Sequence, residues 1–237
     1  MKIFATILSC AVFATLLFAY SYQLEDKQLK QDDQKMEPPI EVLSWSPRVF
    51  VFHNFLSEEE CDHIITLSKP FLQRSTVVDN NSEQSKVDDV RTSQGMFFPG
   101  NMNDPIIDNI EERISLLTLI PRENGENIQV LHYTQGGEYK PHHDYFDDRT
   151  VGGNAHYKRG GQRVASFLMY LNTPEEGGET IFPTANLSVT PKKGDALLFF
   201  DCNLDGTTDP MTLHGGSPVT KGEKWLATKW LRQNLFK

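Results

Sequence analysis

Hydrophobic and polar positions change rhythm several times along the chain. The first apolar block, "IFATILSCAVFATLLFA", runs 17 residues behind Lys2 with no polar face. That length lies between a long signal peptide and a short membrane span, and both send the remaining chain across a membrane. Ala19 and Ser21 offer a small-residue cleavage pair, whereas the lone basic flank at Lys2 suits an uncleaved anchor with its short end in the cytosol. Residues 1–22 are accordingly assigned as signal anchor or signal peptide. Residues 23–40 are polar and charged and include Pro38-Pro39, which predicts a stalk with nothing to pack. The folded unit is expected over 41–237.

Within it, Ser57 followed by Glu60 is a capping-box signal, and Cys61, Ile64, Ile65 and Ser68 recur at helical spacing up to Pro70. Asp104-Pro105 opens a second helical pattern, with Ile107, Ile110, Ile114 and Leu117 on one face until Pro121. From Ile128 the period shortens to "IQVLHY", "RVASFLMYL", "ETIFP", "DALLFF" and "KWLATKWL", punctuated by glycine, proline and Asn/Asp clusters. Short strands after a helical portion predict an α+β, mainly β fold. Its sheet part should be an antiparallel barrel or double-sheet jelly roll with supporting N-terminal helices and a ligand-sized mouth.

Composition narrows this picture. The 237 residues suffice for one sizeable core, and a formal charge of −9 argues against a nucleic-acid partner. Of three cysteines, Cys10 lies in the leader, which leaves a single Cys61–Cys202 bond open in an oxidising compartment. Asn80 and Asn186 head acceptor triplets for glycosylation. Neither an HExxH zinc motif nor a GxSxG nucleophile elbow is present.

The candidate chemistry sits in "YKPHHDYF", residues 139–146. Pro141 favours extended geometry before it, and side chains at i and i+2 of a strand share a face. His142 and Asp144 can therefore converge on one ion while His143 points away. A third ligand must come from elsewhere. Among seven histidines, His214 in "MTLHGGSP" follows the strand "DALLFF" and is selected. Two histidines and a carboxylate form the facial triad of non-haem Fe(II) oxygenases, although the ligand types alone also accept zinc or manganese. Ten residues on, alternation places Lys224, Leu226, Thr228, Trp230 and Arg232 on one face. A lysine buried there needs an anion, and the far carboxylate of an iron-chelating dicarboxylate would supply it.

The stretches "RTSQGMFF", "VLHYTQGGEYKPHHDYF", "RVASFLMYLNTPEEGGETIFP", "KKGDALLFF" and "DPMTLHGGSPVTKGEKWLATKW", in this order from about Ser44 to Leu231, resemble the prolyl 4-hydroxylases, most closely the short plant and algal type. The resemblance implies a distorted double-stranded β-helix that uses Fe(II), 2-oxoglutarate, O2 and ascorbate to 4-hydroxylate prolyl residues in proline-rich peptides or proteins. It matches His142, Asp144 and His214 to the iron ligands and Lys224 to the residue pairing with the distal carboxylate of 2-oxoglutarate. Tyr133 and Thr180 match residues that hydrogen-bond the same co-substrate. Arg91, Ser93, Glu126, Arg163 and Trp230 match positions at the substrate groove. Two departures stand out: Arg232 occupies a place where many relatives carry histidine, and Ser217 replaces a frequent cysteine. With the leader, the resemblance implies an endoplasmic reticulum or Golgi membrane protein with a lumenal catalytic domain, or else a secreted or periplasmic one.

Overall fold

Two antiparallel strands, β1 (Ile40–Trp45) and β2 (Arg48–Phe52), come before the first helix. Helix α1 (Glu58–Ser68) starts where the capping box predicts: Ser57 Oγ accepts from Glu60 N at 3.1 Å, and Glu60 Oε2 accepts from Ser57 N at 2.9 Å. Short strands β3 (Gln73–Arg74), β4 (Val77–Val78), β5 (Ser85–Lys86) and β6 (Gln94–Phe97) follow. Helix α2 (Pro105–Thr118) is opened by Asp104, whose Oδ1 accepts from Ile106 N and Ile107 N at 3.0 Å each. Then come β7 (Gln129–Tyr133), β8 (Tyr139–His142), the short helix α3 (Val151–Tyr157) and β9 (Arg163–Tyr170). The remaining strands are β10 (Glu176–Gly177), β11 (Thr180–Phe182), β12 (Leu187–Val189), β13 (Ala196–Phe199), β14 (His214–Gly216), β15 (Val219–Lys221) and β16 (Lys224–Arg232). This computed structural model describes residues 39–236 apart from 80, 83 and 101. The leader, the stalk up to residue 38 and the Asn80 acceptor site lie outside the described residues.

The major sheet has eight strands in the order β1-β2-β13-β9-β16-β7-β6-β3, and a minor sheet runs β12-β11-β14-β8. Strand alternation sorts the major sheet's side chains to two cores. Ala165, Phe167 and Met169 of β9, with Trp225 and Ala227 of β16, pack with Ile64 of α1 and Ile110 and Ile114 of α2. Leu168 and Tyr170 of β9, Leu226 of β16, and Leu197 and Phe199 of β13 face the other way, against Phe182 and Val189 of the minor sheet. Two antiparallel sheets with helices backing one of them make a jelly-roll, double-stranded β-helix of α+β, mainly β class.

Both faces of β16 are covered, so all nine of its residues are buried, charged ones included. Lys229, on the helix side, is neutralised by Glu111 of α2 at 2.7 Å. Among the described residues no helix is long and apolar enough to cross a membrane. Cys61 and Cys202 are both buried and free. Cys61 Sγ contacts the carbonyl of Tyr170 and Cys202 Sγ that of Arg163, at opposite ends of β9, which puts them roughly 23 Å apart at the usual strand rise. The cysteine pair left open by the sequence is therefore not bridged.

Candidate active site

His142 is the last residue of β8, and Asp144 sits on the bend just beyond it. Antiparallel pairing of β8 with β14 sets His214 directly opposite His142. The alternation argument thus places His142, but the turn after the strand, not the strand itself, aims Asp144. One ligand atom from each of the three side chains lies within 4.8 Å of the others. His142 Nε2 is 3.6 Å from Asp144 Oδ1, and His214 Nε2 is 3.5 Å from Asp144 Oδ2. Each imidazole donates through Nδ1 to a backbone carbonyl two residues earlier: His142 to Lys140 O and His214 to Thr212 O, both at 2.9 Å. Those bonds fix the tautomer and leave both Nε2 lone pairs turned toward Asp144, as a metal requires. His143 points away, toward the Pro210 carbonyl.

Electrostatics suit the same use. Burial pushes the His214 imidazolium down to about 4, against the pull of Asp144, so the ring is neutral at neutral pH. Burial alone would raise the Asp144 carboxyl, but His214, His142 and Arg163 outweigh it and hold the group well below the usual carboxylate range. The neutral His214 ring and an ionised carboxylate, with the His142 imidazole opposite, are a ready donor set for a divalent ion, and two nitrogens with one oxygen fit ferrous iron.

Beyond the triad lies Lys224, opposite Tyr133 in the β16–β7 ladder. It is buried, donates to Gly178 O at 2.6 Å, and pairs with no carboxylate among the described residues. Desolvation lowers its ammonium to about 8, with Glu179 opposing weakly from a distance. Nζ lies 5.9 Å from the ring centre of Tyr133 and 5.7 Å from that of Tyr170. Tyr170 donates its hydroxyl to Thr180 Oγ1 at 2.9 Å. Tyr133, Thr180 and Lys224 therefore share one polar recess, which also includes Tyr170, a residue not singled out from the sequence. Its signal was only a tyrosine among apolar neighbours on β9.

A cleft of about 1300 Å³ opens over His142 and Asp144, lined among others by Arg91, Tyr139, Glu126, Arg163 and Trp230. Arg163 stacks on Trp230 at 3.8 Å and forks onto Glu126 at 2.6 and 2.9 Å. Arg91 lies over the Tyr139 ring and donates to Gln129 Oε1 at 3.0 Å. Tyr139 itself stacks on His142, ring centres 3.6 Å apart. The buried indole Nε1 of Trp230 has no acceptor among the described residues. Ser93 departs from its expected place in the groove: it is wholly buried and donates to Ser75 Oγ at 2.9 Å, because its position on the chain between Arg91 and β6 turns it under the wall. Arg232 is likewise out of the cleft. It is buried against Glu126 at 2.8 Å and the carbonyls of Gly161 and His156, so the arginine at the relatives' histidine position ties down the segment after α3.

A double-stranded β-helix that brings an N2O donor set to the floor of a cleft, with a lone ammonium behind it, defines the Fe(II)- and 2-oxoglutarate-dependent oxygenases. Residues 128–232 match the model of the 2OG-Fe(II) oxygenase superfamily. Over 216 residues the chain is 49% identical to "Probable prolyl 4-hydroxylase 3" of Arabidopsis thaliana, covering 83% of this chain and 73% of that one. "Prolyl 4-hydroxylase 1" of the same plant is 51% identical over 207 residues, covering 81% and 71%. Among solved structures, a viral collagen prolyl hydroxylase from Paramecium bursaria Chlorella virus 1, determined with 2OG, superposes with a TM-score of 0.60 at 31% identity, covering 78% of this chain and 95% of that one. The chain belongs to the prolyl 4-hydroxylase family of dioxygenases, whose chemistry uses Fe(II), 2-oxoglutarate and O2.

Proposed function

We propose that the protein 4-hydroxylates prolyl residues in proline-rich polypeptides, converting 2-oxoglutarate to succinate and CO2. The single observation that carries this is the His142–Asp144–His214 cluster, with Asp144 and His214 buried and His142 half-buried, at the floor of a cleft walled by aromatic rings and arginines. The family relationship narrows the reaction to proline. Ferrous ion held by the three side chains would supply activation of O2, one atom of which enters the prolyl C–H bond and the other succinate.

The chain's own residues do the rest. His142, Asp144 and His214 would hold the metal. Lys224 receives the distal carboxylate of 2-oxoglutarate, with Tyr133 and the Tyr170–Thr180 hydroxyl pair lining the recess, so that chelation at the other end becomes effectively intramolecular. Tyr139, Trp230 and the Arg163 face offer flat surfaces to a polyproline II segment, whose preformed shape lowers the ordering cost of binding. The free Trp230 Nε1 and Arg91 suit backbone carbonyls of such a peptide, which has few N–H groups of its own. Glu126 does not touch substrate in this reading; it orients Arg163. Ascorbate would sustain turnover as reductant.

The leader and the Asn186 triplet, which lies in an exposed turn, support a lumenal site in the secretory pathway, anchored or released. The deciding experiment offers the purified protein a panel of proline-rich peptides with Fe(II), 2-oxoglutarate and ascorbate, and follows succinate together with product mass and 4-hydroxyproline. Peptide-dependent succinate with matching 4-hydroxyproline is expected; turnover only with lysyl peptides or a free small molecule would overturn the assignment.

A further inference from the structure

Behind the metal cluster sits a buried carboxyl with no part in the chemistry above. Asp201 follows β13 and is fully buried, its backbone held by bonds to Val164 O and from Asp209 N. Among the described residues its Oδ1 has no hydrogen-bond partner. Its Oδ2 lies 2.9 Å from Ser166 Oγ, and the same Ser166 Oγ lies 2.6 Å from Asp144 Oδ2. Ser166 is on β9 and is wholly buried.

Counting hydrogens decides the state of this trio. A serine hydroxyl has one proton and two contacts to carboxyl oxygens. With both carboxylates ionised, one contact would set a negative oxygen against a hydroxyl lone pair, in a buried site. A proton on Asp201 Oδ2 resolves the conflict: Asp201 donates to Ser166 Oγ, and Ser166 donates to Asp144 Oδ2. The contacts assign the roles: Ser166 Oγ lies closer to Asp144 Oδ2, at 2.6 Å, than to Asp201 Oδ2, at 2.9 Å, so Asp144 is the acceptor of the serine hydroxyl. The 2.6 Å contact has the length of a hydroxyl donating to a charged oxygen. Burial first, and then the Asp144 charge, also push the Asp201 carboxyl well above the usual range; Ser166 and Arg163 oppose this without prevailing, and the Arg163 guanidinium is itself engaged by Glu126.

We propose that Ser166 and a protonated Asp201 form a neutral two-residue donor relay that positions the Asp144 carboxylate for the metal. Ser166 occupies a lone pair of Oδ2 and leaves Oδ1 as the oxygen free to coordinate. One-oxygen coordination by Asp144 keeps the positions that a bidentate co-substrate and O2 both need. An ionised group at residue 201 would instead add a second negative charge behind the ligand. Ser166 and Asp201 are thus positioning residues, acting through Asp144. The inference rests on the metal role proposed for the triad.

The test titrates Mn(II) into the full folded domain in the absence of oxygen, reading bound metal by electron paramagnetic resonance, for wild type, Ser166→Ala, Asp201→Asn and Asp201→Leu. An asparagine amide can donate to Ser166 as a protonated carboxyl does. Asp201→Asn should therefore keep most of the affinity, while Ser166→Ala and Asp201→Leu should each lose about 10–100-fold, as expected for a ligand's outer partner. Equal affinity in Ser166→Ala and wild type would overturn the relay, as would a loss in Asp201→Asn as large as in Asp201→Leu. Should the Ala and Leu variants fail to fold, infrared spectroscopy of the wild type decides: at pH 8 the un-ionised carboxyl stretch of Asp201 should be present, and its absence refutes the proposal. A wild type that took up no Mn(II) would instead remove the metal reading itself.

Discussion

Lys224 shows how one side chain can be costly to the fold and necessary to the site. Its ammonium is stripped of water and meets only a carbonyl, which is why its proton leaves near pH 8 in the ligand-free protein. Since only the charged form attracts a carboxylate, affinity for 2-oxoglutarate should be level below pH 8 and fall about tenfold per pH unit above it. Calorimetric titration with Mn(II) present checks this, and Lys224→Ala should bind weakly with a flat profile. Arg232 acts at the same scale. Removing it as Arg232→Met strips Glu126 of one of two partners and takes away the guanidinium contacts to the carbonyls of His156 and Gly161. A loss of about 3 kcal/mol in denaturant-measured stability is expected, with a raised peptide KM and an unchanged KM for 2-oxoglutarate, because Arg163 and not Lys224 loses its support. Sequence reasoning found the buried lysine by alternation and chemistry. It could not foresee that Ser93 turns under the cleft wall or that Arg232 is tied to Glu126 and Gly161 outside the cleft, because each depends on which neighbour occupies the space beside it.

At the scale of elements, local signals were strong where they were self-contained. The Ser57 capping box and the Asp104-Pro105 opening each set a helix start, since cap, proline and apolar stripe all lie within one turn. Strand runs such as "RVASFLMYL" and "KWLATKWL" were legible from their β-branched and aromatic content, with ends moved by a residue. The end of α2 was less so. Leu119 closes it in the left-handed region, φ 57° and ψ 22°, with its side chain 87% exposed. A β-carbon is strained there and the side chain packs against little, so Leu119→Gly should stabilise the protein by roughly 0.5–1 kcal/mol, seen as a higher denaturation midpoint. The bend that carries Asp144 was also hidden, since a strand pattern says nothing of how the chain turns after it.

For the whole molecule, one surface ion cluster couples stability to pH. His53, at the end of β2, bonds through Nδ1 to Asp195 at 2.8 Å, ahead of β13, and through Nε2 to Glu41 of β1 at 3.1 Å. The Asp195 hydrogen bond, aided by Glu41, holds the imidazolium above its ordinary value despite some desolvation. A raised folded value means that this contribution is complete below pH 6.5, where the unfolded histidine is also charged, and is lost as pH rises through the folded value. Thermal unfolding from pH 6 to 8 should therefore show a steeper decline for wild type than for His53→Gln. What the sequence by itself determined was chemistry and local form: which residue types can bind a metal, which lysine demands an anion, where helices begin, and that many short strands must close on themselves. Tertiary structure alone decided the pairings across the chain: β8 against β14, which brings His214 to His142; Tyr170 to Thr180; and Ser166 between Asp144 and Asp201. The reason is physical. Capping and periodicity act within a turn or a strand, whereas a hydrogen bond between residues on separate strands, here 10 to 35 positions apart, exists only once those strands have been packed together.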